Sequence, residues 1–202
     1  SGVHRLKVGD KVMIPAAVGC GACRACLAGV VNLCEFGMGS CYGLSARLQG
    51  SQADAVRVPA ADVNAVRVPE GVSMDQALMM TDALATAWYG ARNADIVPGA
   101  SVAVIGLGPI GLMAVDSALV MGAHIVYAID PIAERRALAE AAGAIALHPD
   151  EAMERIKADT RGRKLDCVVE VVGSDATVDF ALRLVRPRGT VSVIGVQQSR
   201  RF

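Results

Sequence analysis

Runs of apolar residues with two different periods organise this chain. Ser101 to Ile105 is a short, β-branched apolar run, and Gly106-Leu107-Gly108-Pro109-Ile110-Gly111 follows at once. Leu112 to Met121 then has helical spacing and stops at Gly122. His124 to Ile129 is a second apolar run and ends on Asp130. The pattern predicts strand, glycine turn, helix and strand. Further on it predicts a helix over Ile132 to Ala142, a strand at Ile145 to Leu147, a helix over Asp150 to Asp159 and a nearly continuous apolar strand over Leu165 to Val172. A helix capped by Ser174 runs through Val185, and a fifth strand spans Thr190 to Val196. Right-handed crossovers place these strands in the order 3-2-1-4-5.

Before Ser101 the pattern is less regular. Lys11 to Ile14, Ala55 to Val58 and Asn64 to Val68 read as short strands, and Phe36 to Gln52 as a glycine-rich loop. Ser73-Met74-Asp75-Gln76 is a capping box that opens an apolar helix, with the helical pattern resuming from Ala83 to Ala94. The expected fold is α/β: a doubly wound parallel sheet over 89–202, and over 1–88 part of an irregular β-rich domain whose cysteine-bearing lobe occupies about residues 15–45.

The glycine turn carries chemistry. Gly106 permits a tight turn, Gly108 lets backbone N–H groups approach a pyrophosphate, and Gly111 lets the helix lie close on its strand. Pro109 suits the first helical turn. Asp130 stands where a dinucleotide fold needs an acid for a ribose, and also where it could N-cap the helix that Pro131 opens; the two readings are compatible.

Composition narrows the partners. The 202 residues hold 20 basic and 20 acidic side chains, with no basic run and 3% aromatics, which argues against a nucleic-acid surface. A small-molecule partner is expected. The first residues lack the apolar core of a signal peptide, and the apolar span 101–129 is broken by Pro109, Asp116, His124 and several glycines, so a cytoplasmic, non-membrane protein is expected. Both ends are expected to be truncated, because the strand near residue 12 has no partner before it and nothing closes the sheet after Val196.

Four of the six cysteines, Cys20, Cys23, Cys26 and Cys34, fall within fifteen residues. Four thiolates at this spacing can close a tetrahedron around one zinc, leaving no open position for a substrate, so the site would be structural. Disulfides, an iron–sulfur cluster and unliganded buried thiols compete. No secretory signal supports disulfides, and Glu35 stands where a bacterial cluster motif usually has Pro. Cys41 and Cys167 lie outside the pattern, Cys167 as an inert buried thiol. Asp82, among apolar neighbours between two helical stretches, reads from the residues alone as a helix cap.

The runs CGACRACLAGVVNLC, DALATAWYGA and GASVAVIGLGPIGL, in that order, resemble the zinc-dependent medium-chain alcohol dehydrogenases, in particular the bacterial branch of formaldehyde and secondary-alcohol dehydrogenases. The resemblance extends from Gly9-Asp10 to Gly195. It implies a Rossmann domain, a structural zinc on the four cysteines, and hydride transfer between an alcohol or aldehyde and NAD. Asp82 matches a ligand of the catalytic zinc and Thr86 a threonine behind the nicotinamide ring. The backbones of Val172-Gly173 and Gly195-Val196 match those at the nicotinamide ribose and carboxamide, with glycine at ordinary strand ends as the plainer reading.

Asp130 favours NAD over NADP by repelling a 2′-phosphate, while Arg135 is expected along the adenosine and Arg136 in solvent. His4, His124 and His148 are outside the ligand context and read as surface or strand-end residues. The family's remaining catalytic ligands would precede residue 1, and its sixth strand, which builds a homodimer, would follow the fifth. A dinucleotide-binding module without turnover is the rival reading, and the fifth strand, left as an edge, is expected to promote self-association.

Overall fold

The computed structural model describes residues 2–36, 40–45 and 48–197. They form two compact units, 1–82 and 83–202. Parts of the loop expected over 36–52 (37–39 and 46–47), and the chain after Gln197, lie outside the described residues.

The first unit contains β1 (Val12–Met13), β2 (Ala17–Val18), α1 (Arg24–Leu27), a 3-10 turn at Val31–Leu33, β3 (Ser40–Cys41), α2 (Ala61–Asn64), β4 (Val66–Arg67) and α3 (Met74–Met80). β1 pairs with β4 and β2 with β3, both antiparallel. Ser73 opens α3 with the expected capping box, its hydroxyl accepting from the Gln76 N–H. The expected strand at 55–58 is absent. Ala55, Val56 and Arg57 are exposed, and a strand propensity with no partner edge does not make a strand. Where an early part of the 64–68 strand was expected, α2 ends instead on buried Asn64. Its amide accepts from the Gly19 N–H at 3.0 Å and donates to the carbonyls of Gly19 and Pro59, fixing the chain just before Cys20.

The second unit contains α4 (Ala83–Asn93), β5 (Ser101–Ile105), α5 (Pro109–Val120), β6 (Ile125–Ile129), α6 (Ala133–Ala141), β7 (Ile145–Leu147), α7 (Pro149–Asp159), β8 (Leu165–Glu170), α8 (Asp175–Leu184) and β9 (Val185–Val193). The strands form one parallel sheet in the order β7-β6-β5-β8-β9, as the crossovers require. Alternate residues of β5 serve opposite faces. Val102 and Val104 join Ala87, Ala114, Val115 and Ala139 in one core, whereas Ala103 and Ile105 join Ile156, Ala181 and Leu184 in the other. Helices α4, α5 and α6 therefore cover one face, and α7 and α8 cover the other. No helix among the described residues is long and apolar enough to cross a membrane.

Two boundaries move. β8 stops at Glu170 rather than Val172, and β9 begins directly after α8 at Val185 and ends at Val193. Pro187 and Gly189 suggest a turn there. On an edge strand, however, a proline costs no ladder bond, and Arg188 at φ +62° accompanies a register shift between β8 and β9.

Candidate cofactor and metal sites

Each glycine of the turn after β5 has a distinct geometric reason. Gly106 sits at φ +91°, a conformation side chains rarely adopt, and a Cβ there would also press on the Val172 side chain. A Cβ on Gly111 would collide with the Gly106 carbonyl oxygen, so the start of α5 can lie against the turn only because position 111 has none. Gly108 has open space on its Cβ side and is the N-cap of α5, with no side chain capping the helix. Exposed Pro109 and half-buried Ile110 begin that helix. The start of a helix carries unsatisfied N–H groups and partial positive charge, the chemistry that a pyrophosphate needs.

Asp130, at the end of β6, is 3% exposed and aimed at this turn. Its Oδ2 accepts from the Leu107 N–H and its Oδ1 from the Ile132 N–H, each at 2.8 Å. The N-cap of α6 is Ile132, so the expected capping role becomes a bond to the residue before the helix. Half-exposed Arg135 places Nη1 3.6 Å from Oδ2. Arg136 departs from the solvent-facing expectation: it is partly buried and donates to the Asp130 carbonyl oxygen at 2.8 Å. Its partner is backbone, and backbone partners leave no trace in residue patterning.

At the same end of the sheet, the loops after β8 and β9 pack backbone to backbone. A Cβ on Gly173 would strike the Val196 carbonyl, and one on Gly195 would strike the Gly173 nitrogen. Exposed Val172 and Val196 flank the contact. Beneath it lies Glu170, a fully buried acid that sequence reasoning passed over within an apolar run. A lone carboxylate in a buried parallel strand was the available signal.

In the first unit, Cys20, Cys23, Cys26 and Cys34 place their ligand atoms within 4.8 Å of one another, and they are the only such group among the described residues. The Sγ atoms of Cys20 and Cys26 are 3.9 Å apart, close to the edge of about 3.8 Å in a tetrahedron with Zn–S of about 2.3 Å. Backbone N–H groups already point at the sulfurs: Ala22 and Cys23 donate to Cys20, and Cys26 donates to Cys23, the N-cap of α1. The N–H groups of Cys26 and Glu35 hold the Cys23 thiol below its ordinary pKa. At Cys26 the Gly21 N–H acts in the same direction, but burial and the neighbouring sulfurs prevail and push it up to about 11. Four thiols that cannot all ionise together without a cation, surrounded by N–H donors, fit a zinc tetrahedron. All six cysteines are free of disulfides. Cys167 is buried and its thiol is pushed up to about 11 by that burial, as expected of an inert thiol.

Asp82 closes the first unit in the turn after α3 and is exposed, without the burial that its apolar neighbours suggested. Thr86, half-buried, lies in the first turn of α4. His148 N-caps α7, its ring accepting from the Asp150 N–H while its own N–H meets Glu151. His4 and His124 stand outside the cysteine cluster.

Residues 1–70 match the alcohol dehydrogenase GroES-like domain and residues 109–201 the zinc-binding dehydrogenase domain. A protein of Mycobacterium tuberculosis described as a zinc-binding alcohol dehydrogenase is 45% identical over 99% of this chain and 51% of its own length. A medium chain reductase/dehydrogenase of Acremonium is 40% identical over 98% of the chain and 70% of its own. The alcohol dehydrogenase TADH from Thermus sp. ATN1 superimposes with a TM-score of 0.92 at 40% identity, covering all of this chain and 59% of that one. A zinc-binding dehydrogenase from Sinorhizobium meliloti 1021, bound to NADP, does so with 0.85 at 30% identity, over 99% and 58%. The chain thus spans between about half and 70% of the length of these proteins. With both domain models matched in order and relatives similar along its whole length, the chain belongs to the zinc-type medium-chain alcohol dehydrogenase family.

Proposed function

We propose that this chain serves a zinc-dependent oxidoreductase that transfers hydride between an alcohol or aldehyde and NAD. The observation that carries the reading is the conjunction over 101–130 of a glycine turn open on the Cβ side of Gly108, at the start of α5, with a buried acid, Asp130, bonded to that turn through Leu107. When bound, the dinucleotide supplies the hydride acceptor and a catalytic zinc supplies Lewis acidity toward the alcohol oxygen.

The residues divide the work. Gly106, Gly108, Pro109, Ile110 and Gly111 receive the pyrophosphate. Asp130 binds the adenosine ribose, and Arg135 lies beside it. The backbones at Val172, Gly173, Gly195 and Val196 hold the nicotinamide half, with Thr86 behind the ring. Asp82, an exposed carboxylate in a turn, supplies one ligand to the catalytic zinc, and Cys20, Cys23, Cys26 and Cys34 hold the structural one.

NAD is favoured over NADP because a 2′-phosphate would approach a carboxylate whose charge Arg135 offsets only from 3.6 Å and half in solvent. The NADP found on the Sinorhizobium relative makes this point worth measuring directly. The whole protein is placed in the cytoplasm as a homodimer or homotetramer acting on a small molecule. Domain limits of 1–88 and 89–202 are kept as the functional division.

Quenching of Trp88 emission by NADH and NADPH, alongside alcohol-dependent NADH formation, tests the reading. Tighter NADH binding with turnover that Asp82→Ala abolishes supports it. Equal affinities sink the Asp130 argument, and binding without turnover in a metal-loaded protein favours a dinucleotide-binding module.

A further inference from the structure

Glu170 is the last residue of β8 and is completely buried. A carboxyl group away from water needs hydrogen-bond partners, and among the described residues its donors lie in the loop that follows. Its Oε1 accepts from the N–H groups of Val172 at 2.8 Å and Gly173 at 3.0 Å, and its Oε2 accepts from Gly173 at 3.1 Å. The same residue's carbonyl accepts from the N–H groups of Ile194 at 2.9 Å and Gly195 at 3.2 Å, the first residues after β9. One residue therefore grips both loops, by its side chain on one and its main chain on the other.

The loops in turn lie so close that neither glycine could carry a side chain. Gly173 is held at φ +80° with its Cα side against the Val196 carbonyl, and Gly195 lies against the Gly173 nitrogen. The Val172 side chain also reaches the empty side of Gly106 in the glycine turn. A carboxyl group that holds two successive N–H groups fixes the path of the backbone that carries them.

We propose that Glu170 is a positioning residue for the nicotinamide half of the dinucleotide, acting through the backbone at Val172-Gly173 and Gly195-Val196. This rests on the dinucleotide-binding reading above. Glu170 touches no part of the cofactor on this account; it sets the shape of the backbone that does. The adenosine half depends on Gly106 to Gly111 and Asp130, to which none of these Glu170 hydrogen bonds runs; the loop reaches that half only through the Val172 side chain against Gly106, so the nicotinamide half should respond more strongly.

The test is calorimetric titration of the full chain with NADH and with ADP-ribose, in the wild type and in Glu170→Gln. The Gln amide keeps the size of the side chain but turns a donor toward the Gly173 N–H. The wild type is expected to bind NADH more tightly than ADP-ribose. In the variant ADP-ribose affinity stays within about twofold, whereas NADH binds roughly tenfold more weakly, as expected when an amide N–H faces the Gly173 N–H in place of one of its two acceptor oxygens and shifts that backbone. The blue shift of NADH emission on binding should shrink in parallel.

Retained ADP-ribose binding also reports that the variant is folded. If Glu170→Gln does not fold, Glu170→Asp is measured instead, which keeps the carboxyl group but withdraws it, and the same split in smaller measure is expected. An equal loss of both ligands, or no change in either, would overturn the proposal. If the wild type binds neither NADH nor ADP-ribose, the dinucleotide reading itself fails, and the role assigned to Glu170 fails with it.

Discussion

The N–H of Leu107 donates to Oδ2 of Asp130 at 2.8 Å, linking the second residue of the glycine turn after β5 to the end of the adjacent strand β6. The turn that would receive phosphates and the acid that would receive a ribose are therefore one hydrogen-bonded unit, formed before any ligand arrives. Removing the acid should disturb both. Asp130→Ala leaves the buried N–H of Leu107 and the partly buried N–H of Ile132 without their acceptor and should weaken NADH binding by about 5- to 100-fold. Asp130→Asn should weaken it less and bring the NADH and NADPH affinities closer together. Trp88 quenching reads both effects.

Two neighbouring glycines should separate stability from binding. Gly111→Ala drives a methyl group into the Gly106 carbonyl and should destabilise the second unit by about 1–3 kcal/mol, read by urea unfolding. Gly108→Ala has room and an ordinary φ of −67°, so its unfolding midpoint should stay near wild type while NADH affinity falls.

The cysteine cluster should hold one structural zinc per chain independently of any catalytic metal. Cys23→Ser should lower that content and the thermal stability of the first unit. The pH dependence has a definite sign, since the metal needs thiolates: acidification should release it by protonating the sulfurs, with colorimetric zinc release as the readout. Retention of the metal in Cys23→Ser at wild-type affinity would refute the assignment.

Asp166 ties three strands together at the other end of the sheet, accepting from the N–H and hydroxyl of Ser101 on β5 and from Arg186 on β9. Burial alone would raise its pKa, but these donors outweigh it and bring it from 3.8 to about 2. Because the folded value lies below the unfolded one, the stabilisation is fully present above about pH 4 and is lost as pH falls through 2. With the side chain 35% exposed and screening allowed for, Asp166→Asn should cost about 1 kcal/mol at pH 7. That difference should disappear near pH 2 in unfolding curves measured across the range.

What could be read without coordinates, and what could not, follows from where the determinants reside. β5, β6, β7 and their order were legible because both faces of a parallel strand are buried and its ends are marked by glycine, proline and acid. The clustering of the four cysteines was legible because it shows as side chains at short, regular spacing. The β-region was not: Val56 and Val58 have strand propensity, but only a partner edge realises it, and the four-residue helix ending on Asn64 is too short to show a period. Arg136 was misread because its acceptor is a carbonyl. Glu170 was missed because its partners are two N–H groups, and its neighbours Val168, Val169 and Val171 gave the run an apolar character that one acid did not interrupt.

The strand order carries a consequence for synthesis. β5 pairs on one side with β6, which leaves the ribosome soon afterwards, and on the other with β8, whose first residue is Leu165. A nascent chain can thus assemble β5, β6 and β7 in succession, each on the outer side of the last. Meanwhile the opposite rim of β5, through the apolar residues Val102 to Ile105, stays unpaired until more than half of the second unit's chain has followed it. That rim is where a translating chain would need a chaperone's cover. A pause in translation between β7 and β8 would lengthen its exposure, whereas one after β8 would find it closed.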